Sequence, residues 1–206
     1  MTVFLEIHPT DPQPRLIFQA AQIMRQGGIA VFPTDTTYGL GCSLDNRKGV
    51  EKIIRLKQLP PNHQFSILCP DLSDISRFAR VDNQTYRILR KFLPGPYTFV
   101  LEATRDVPKT ILPKRKTIGL RIPDHRICLH LLKAIEMPLL STSLRLPGHE
   151  GILYHPDDIK ELLRDRVDLV MIGGVLPEIP STVVDLTGAA PEVLRKGAGT
   201  VEAFQS

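Results

Sequence analysis

The residues best equipped for chemistry stand in short polar clusters, each beside an apolar run that reads as a strand. The first is Pro33-Thr34-Asp35-Thr36-Thr37-Tyr38-Gly39-Leu40-Gly41. Three hydroxyls and a carboxylate emerge together there, and two glycines allow a sharp turn or a close backbone approach to a ligand. The cluster follows Ile29-Ala30-Val31-Phe32, and Pro33, which has no N–H for a ladder, is expected to stop that strand. In open α/β sheets ligands lie beyond the carboxyl ends of strands, where this loop would sit. The same residues also make an ordinary polar turn between a strand and a helix.

Four further clusters share the pattern. Arg121 ends Thr117-Ile118-Gly119-Leu120-Arg121 and precedes Pro123 and His125. A guanidinium there is suited to a carboxylate or phosphate, or to a structural ion pair. Ser141-Thr142-Ser143 follows Pro138-Leu139-Leu140 and leads to Arg145; its hydroxyls suit either ligand oxygens or a helix cap. Ser181-Thr182-Val183-Val184-Asp185 and Arg195-Lys196-Gly197 complete the set.

Several mechanisms are excluded by pattern. There is no G-x-x-x-x-G-K-[ST] or G-x-G-x-x-G phosphate loop, no H-E-x-x-H, and no G-x-S-x-G elbow. Cys42, Cys69 and Cys128 are widely spaced, so neither a disulfide framework nor a zinc site is indicated, and the last two read as core thiols. The 206 residues carry a formal charge of +4, which permits phosphate-bearing partners without demanding them. No apolar run is long enough to span a bilayer and the N-terminus lacks a signal-peptide pattern, so the expectation is a cytoplasmic protein without a membrane partner.

The positioning elements alternate. Strands are expected at 4–7, 29–32, 65–69, 97–101, 117–122, from 138, and at 167–172, 182–186 and 193–195. Helices are expected over 16–24, 50–56, 85–92, 128–135 and 157–163, with a basic loop at 105–116. Interleaved helices and strands without a composition break predict one α/β domain over 1–206, built on a twisted, open, mixed sheet with flanking helices.

Taken together, Pro33–Gly41, Pro94-Gly95-Pro96-Tyr97-Thr98, Thr117–Arg121 with Pro123-Asp124-His125, Ser181–Asp185 and Arg195-x-Gly197 resemble the YrdC-like family. The segment Leu140-Ser141-Thr142-Ser143-Leu144-x-Leu146-Pro147-Gly148 is most similar to its YciO branch. The resemblance implies a threonylcarbamoyl-adenylate synthase, which turns L-threonine, bicarbonate and ATP, with Mg2+ on the triphosphate, into threonylcarbamoyl-AMP and pyrophosphate. That product serves N6-threonylcarbamoyladenosine formation in tRNA. By the same resemblance Thr36, Tyr38, Arg121, Ser143 and Ser181 are expected around threonine, Arg121 on its carboxylate. Lys57, Thr117, Arg145 and Arg195 are expected toward the nucleotide, Lys57 and Arg121 being the catalytic pair.

Two signature positions depart from the synthases. Their Lys-x-Arg reads Lys57-Gln58-Leu59 here, and their Ser-x-Asn reads Ser143-Leu144-Arg145. Cys69 stands roughly where many synthases have histidine. The alternative expectation is a protein that binds double-stranded RNA or tRNA beside a weak nucleotide pocket, through Arg87, Arg90, Lys91, Lys109, Lys114, Arg115 and Lys116. A solvated basic surface has the same composition.

Overall fold

The structure is a computed structural model, which describes residues 1–60, 63–108, 111 and 116–204. In chain order it runs β1(Val3–Glu6), α1(Pro14–Arg25), β2(Ala30–Pro33), β3(Tyr38–Ser43), α2(Arg47–Lys57), β4(Ser66–Leu68), α3(Leu72–Phe78), α4(Asn83–Phe92), β5(Tyr97–Glu102), β6(Thr117–Arg121), α5(Arg126–Ile135), β7(Leu139–Ser143), α6(Pro156–Leu163), β8(Leu169–Ile172), β9(Thr182–Asp185) and β10(Glu192–Arg195), then a short 3₁₀ turn. All ten strands form one sheet in the order β1-β8-β2-β3-β7-β4-β6-β5-β9-β10. Its pairings mix parallel (β1·β8, β2·β8, β4·β6, β5·β9) with antiparallel, as the mixed-sheet expectation required.

The two faces of the sheet are covered unequally. One face carries the main core, where Leu40, Ile67, Phe99, Leu101, Leu120 and Val184 meet Ile53 of α2, Phe78 of α3, Leu89 of α4 and Leu163 of α6. On the other face α1 and α5 cover chiefly the β1–β8–β2 end, through Ala20, Met24, Leu131 and Ile135 against Ala30, Phe32, Leu169 and Met171, and reach Leu139 of β7 and Leu68 of β4. The amphipathic helices are spent on these two contacts, and the rest of the second face is left without a helix.

The opening cluster departs from expectation. Residues 38–43 are not loop but strand β3, which makes an antiparallel hairpin with β2, and Pro33 is the last ladder residue, opposite Tyr38. Strand β3 hides from a period-two reading because its cavity-side positions are Gly39 and Gly41. Glycine is required there by close approach: a Cβ at Gly41 would lie 2.2 Å from the Leu140 carbonyl oxygen and 3.2 Å from the Phe32 ring. Likewise Ser141, Thr142 and Ser143 do not cap a helix; all three lie within β7. Helix α3, capped by Asp71 on the N–H groups of Ser73 and Asp74, was not anticipated.

Helix α2 ends where Gln58 turns left-handed (φ 50). The Gln58 N–H donates to the Arg55 carbonyl and the Leu59 N–H to the Ile54 carbonyl, a Schellman closure. Leu59 packs against the main core as the apolar residue that such a closure favours.

Candidate active site

The bare part of the second face is a cavity of about 300 Å³, near the lower end of the roughly 300–1,000 Å³ typical of small-molecule sites. Its floor is made by alternate residues of neighbouring strands: Gly39 of β3, Ser141 of β7, Ser66 of β4, Gly119 of β6, Thr98 of β5 and Val183 of β9. The register joins them directly, with Ser141 opposite both Gly41 and Ser66, Ser66 opposite Gly119, and Thr98 opposite Val183. Small side chains on this row explain why the face dips. Thr34 and Thr37, just beyond the carboxyl end of β2, line the cavity as expected. Parallel and antiparallel pairs are mixed, however, so the sheet has no common carboxyl edge and the cavity extends across its face.

Arg195 reaches the same face through an irregularity. Val193 sits opposite Val184, a core residue, whereas Arg195 sits opposite Val183, with a register shift between them. Regular alternation would return residue 195 to the face of Val193. The bulge at Leu194 delivers the guanidinium to the cavity instead, a common use of bulges.

Arg121 is the best-buried cation of the site. Its Nη2 donates to Asp35 Oδ1 at 2.5 Å and to Thr36 Oγ1 at 2.8 Å. Arg121 Nε and Asp35 Oδ2 are buried without a protein partner among the described residues, as is His125 Nδ1. Arg121 lines the cavity, so its guanidinium stands within reach of a ligand carboxylate or phosphate. The hairpin loop holding Asp35 is fixed by Thr34, whose Oγ1 accepts from the Thr36 and Thr37 N–H groups at 3.2 Å and donates to the Thr37 carbonyl at 2.6 Å.

Two more clusters flank the floor. Thr98 Oγ1 and Ser181 Oγ share a hydrogen bond of 2.8 Å, and Arg195 donates to the Ser181 carbonyl from Nε (3.1 Å) and Nη2 (2.8 Å). On the opposite side Lys57, buried at the end of α2, donates from Nζ to Thr142 Oγ1 (2.8 Å) and the Ser143 carbonyl (2.5 Å). Thr142 Oγ1 also bonds His63 Nε2 at 3.1 Å.

Charge crowding follows from this arrangement. Burial, then the Arg145 charge, pulls the Lys57 ammonium down to about 8. Burial, then Arg121 and Arg145, lowers Arg195 from its ordinary range. Burial, then Lys57, depresses His63 to about 4, so its ring is neutral at neutral pH. A bound anion would relieve all three effects.

The structure gathers Arg121, Ser143, Ser181 and Arg195 on the cavity wall, with Thr36 behind Arg121. Lys57 supports the wall through Thr142 and Ser143, and exposed Arg145 stands close enough to perturb both Lys57 and Arg195. Tyr38 is not beside the cavity. Fully buried, it donates to the Gly174 carbonyl (2.6 Å) and accepts the Gly173 N–H (3.1 Å), tying β3 to the segment after β8. Thr117 has the parity of Gly119 and Arg121 but lies outside the wall, as does His125. Leu59 is turned to the core, and Cys69 is buried with its thiol pushed up by desolvation. The histidine at the cavity is His63, which the sequence reading missed; Thr98 and Thr142, named there only within their motifs, also line it. Of the basic set, Arg87, Arg90 and Lys91 are exposed on α4, while Lys109, Lys114 and Arg115 lie outside the described residues. Among the described residues no helix is long and apolar enough to cross a membrane, and no group of three or more metal-ligating side chains is found.

This ten-stranded sheet with a cationic, hydroxyl-lined face matches a known class. Residues 22–197 match the Sua5/YciO/YrdC family model, described as "Telomere recombination", and the chain belongs to that family. It is 47% identical over 205 residues to the "Uncharacterized protein YciO" of Escherichia coli K12, covering 99% of this chain and 100% of that one. The crystal structure of E. coli YciO superposes with a TM-score of 0.95 at 47% identity, over 99% of this chain and all of that one. The threonylcarbamoyl-AMP synthase of Pyrococcus abyssi is more distant, 28% identical over 191 residues, or 90% of this chain and 55% of that protein. The structure of P. abyssi Sua5 complexed with L-threonine has a TM-score of 0.91 at 27% identity, over 98% of this chain and 59% of that one.

Proposed function

We propose that this chain is a threonylcarbamoyl-adenylate synthase-type enzyme acting on L-threonine, bicarbonate and ATP, and so serves the threonylcarbamoyl modification of tRNA. The observation that carries the reading is Arg121, a buried guanidinium on the wall of an amino-acid-sized cavity. A threonine carboxylate is the acceptor suited to that donor. The P. abyssi Sua5 complex with L-threonine, which shares this fold, supports the choice of amino acid.

In this scheme the threonine amine combines with bicarbonate to give a carbamate and water. A carbamate oxygen then attacks the α-phosphorus of ATP, and the α–β bridging oxygen leaves with pyrophosphate. No covalent protein intermediate is needed; the protein positions reactants and offsets charge. Arg195, Lys57 and Arg145 are the cations available to the phosphates. Mg2+ belongs to the nucleotide substrate in this scheme. Leu59 contributes no charge. Arg145 adds one from the far end of β7.

The test is direct. Purified protein with ATP·Mg2+, L-threonine and bicarbonate should yield threonylcarbamoyl-AMP and pyrophosphate by mass spectrometry, and Arg121→Ala should abolish both. A folded protein that turns over no nucleotide overturns the proposal. The exposed Arg87, Arg90 and Lys91 on α4 favour a second reading, contact with RNA phosphates, for which binding should weaken steeply as salt rises.

A further inference from the structure

Lys57, Thr142 and His63 form a chain of hydrogen bonds whose direction can be worked out. The ammonium can only donate, so Thr142 Oγ1 accepts from Lys57 at 2.8 Å. The Thr142 hydroxyl proton then needs an acceptor, and His63 Nε2, at 3.1 Å, is the one within reach among the described residues. If His63 instead donated from Nε2, that hydroxyl proton would be left idle in a half-buried site. The running order Lys57→Thr142→His63 gives the Thr142 hydroxyl proton its acceptor, and each bond polarises the next. The ring is also held in orientation, edge-on to Phe65 with centroids 4.9 Å apart and an interplanar angle of 85°.

We infer that Lys57 and Thr142 are positioning residues that lock His63 as the neutral Nδ1–H tautomer, and that His63 is a binding residue donating this proton to an oxyanion of the ligand. Nε2 is occupied, so Nδ1–H is the one ring group left for a ligand in the cavity that His63 lines. The lowered basicity of His63, from burial and then Lys57, agrees with a neutral ring at neutral pH. A neutral imidazole donor stabilises a developing negative charge without adding a full cation to a site already crowded with them. The inference rests on the functional reading above only for the identity of the oxyanion, a carboxylate or a phosphoryl group.

Nitrogen-15 NMR of the His63 ring tests the lock in the ligand-free protein. The expected spectrum shows protonated Nδ1 and bare Nε2 at pH 7, with no titration near 6.5. Thr142→Val should release the ring to a mixture of tautomers, which a purely structural threonine would not do, while Thr142→Ser should preserve it. A proton on Nε2 in the wild-type protein overturns the inference, whatever the enzyme's substrate. L-threonine and ATP·Mg2+ are then added separately. A shift of Nδ1–H with threonine assigns a carboxylate, and a shift with ATP assigns a phosphoryl group. His63→Ala should weaken that ligand at least tenfold and His63→Asn, which keeps a donor, should recover part of the loss. A ligand that binds without moving Nδ1–H overturns the donor role. Binding of neither ligand removes the substrate assignment above and the oxyanion role together, and leaves the tautomer result to judge the lock alone.

Discussion

Arg121 Nη2 lies 2.5 Å from Asp35 Oδ1, with the two side chains only 9% and 12% exposed. The residue most suited to a ligand carboxylate is thus already held by a protein carboxylate, which fixes its position on the cavity wall. Breaking such a pair from one side leaves an uncompensated buried charge, at a cost of about 3–5 kcal/mol. Arg121→Ala should therefore lower stability by that order in urea denaturation. The double variant Asp35→Asn/Arg121→Met should recover most of the loss, because no charge is stranded. A double variant as unstable as the single one would contradict this account.

Leu59 stands where the synthases carry arginine, yet it closes α2 and packs on the main core. Restoring the signature with Leu59→Arg should not improve nucleotide affinity. It should cost about 1 kcal/mol of stability, part of the roughly 1.5–3 kcal/mol that full burial of a leucine provides. Calorimetric titration with ATP·Mg2+ checks the first expectation and urea midpoints the second; a tenfold gain in affinity would refute the argument.

Gly119 forms the middle of the cavity floor. A Cβ there would lie 3.0 Å from Ser66 Oγ and 3.1 Å from Thr98 Cγ2, so small shifts of the walls accommodate it. Gly119→Ala should fold and keep most of its stability while threonine affinity drops about tenfold, equivalent to ~1.4 kcal/mol. Thermal-shift titration with L-threonine reads this. Unchanged affinity would mean that the ligand does not rest on this row.

Lys57 gives a pH signature. Its folded value of about 8 lies below the ordinary 10.5, so between these limits the unfolded chain holds more protons than the native one. Stability from this group rises with pH across that window, and its burial penalty is fully present below it. Wild type should gain on Lys57→Met as pH climbs from about 8 toward 10, measured as urea midpoints at each pH. A difference that stays flat, or falls, rejects the assignment. In the same range nucleotide affinity should decline, since the ammonium loses its charge.

The sequence was most readable where apolar periodicity did the work. Strands β2, β5, β6, β8 and β9 and helices α1, α2 and α5 fall close to the expected ranges, because the strands are short apolar or β-branched runs and the helices' buried residues recur at three to four. Strand β3 was missed because two of its six positions are glycines under Phe32, a packing demand that comes from another strand. His63 was missed because its partner Thr142 is 79 residues away, and nothing near it in the chain signals that bond. Arg195 was expected toward the nucleotide through the family resemblance and lines the cavity, but the bulge that turns it there depends on its pairing with β9. The site's residue types were legible, whereas its location on a sheet face required the strand directions.

The cavity floor and walls are drawn from Thr34 at one extreme to Arg195 at the other, and the last contributor sits on an edge strand. Its geometry is therefore complete only when long-range pairings such as β3·β7 and β5·β9 have closed, a slow kind of contact to form. A ligand held there reports the finished sheet rather than any local segment. Occupancy should accordingly slow amide hydrogen exchange in β3, β5, β6, β7 and β9 together, making ligand retention a sensitive gauge of whether refolding has reached its end.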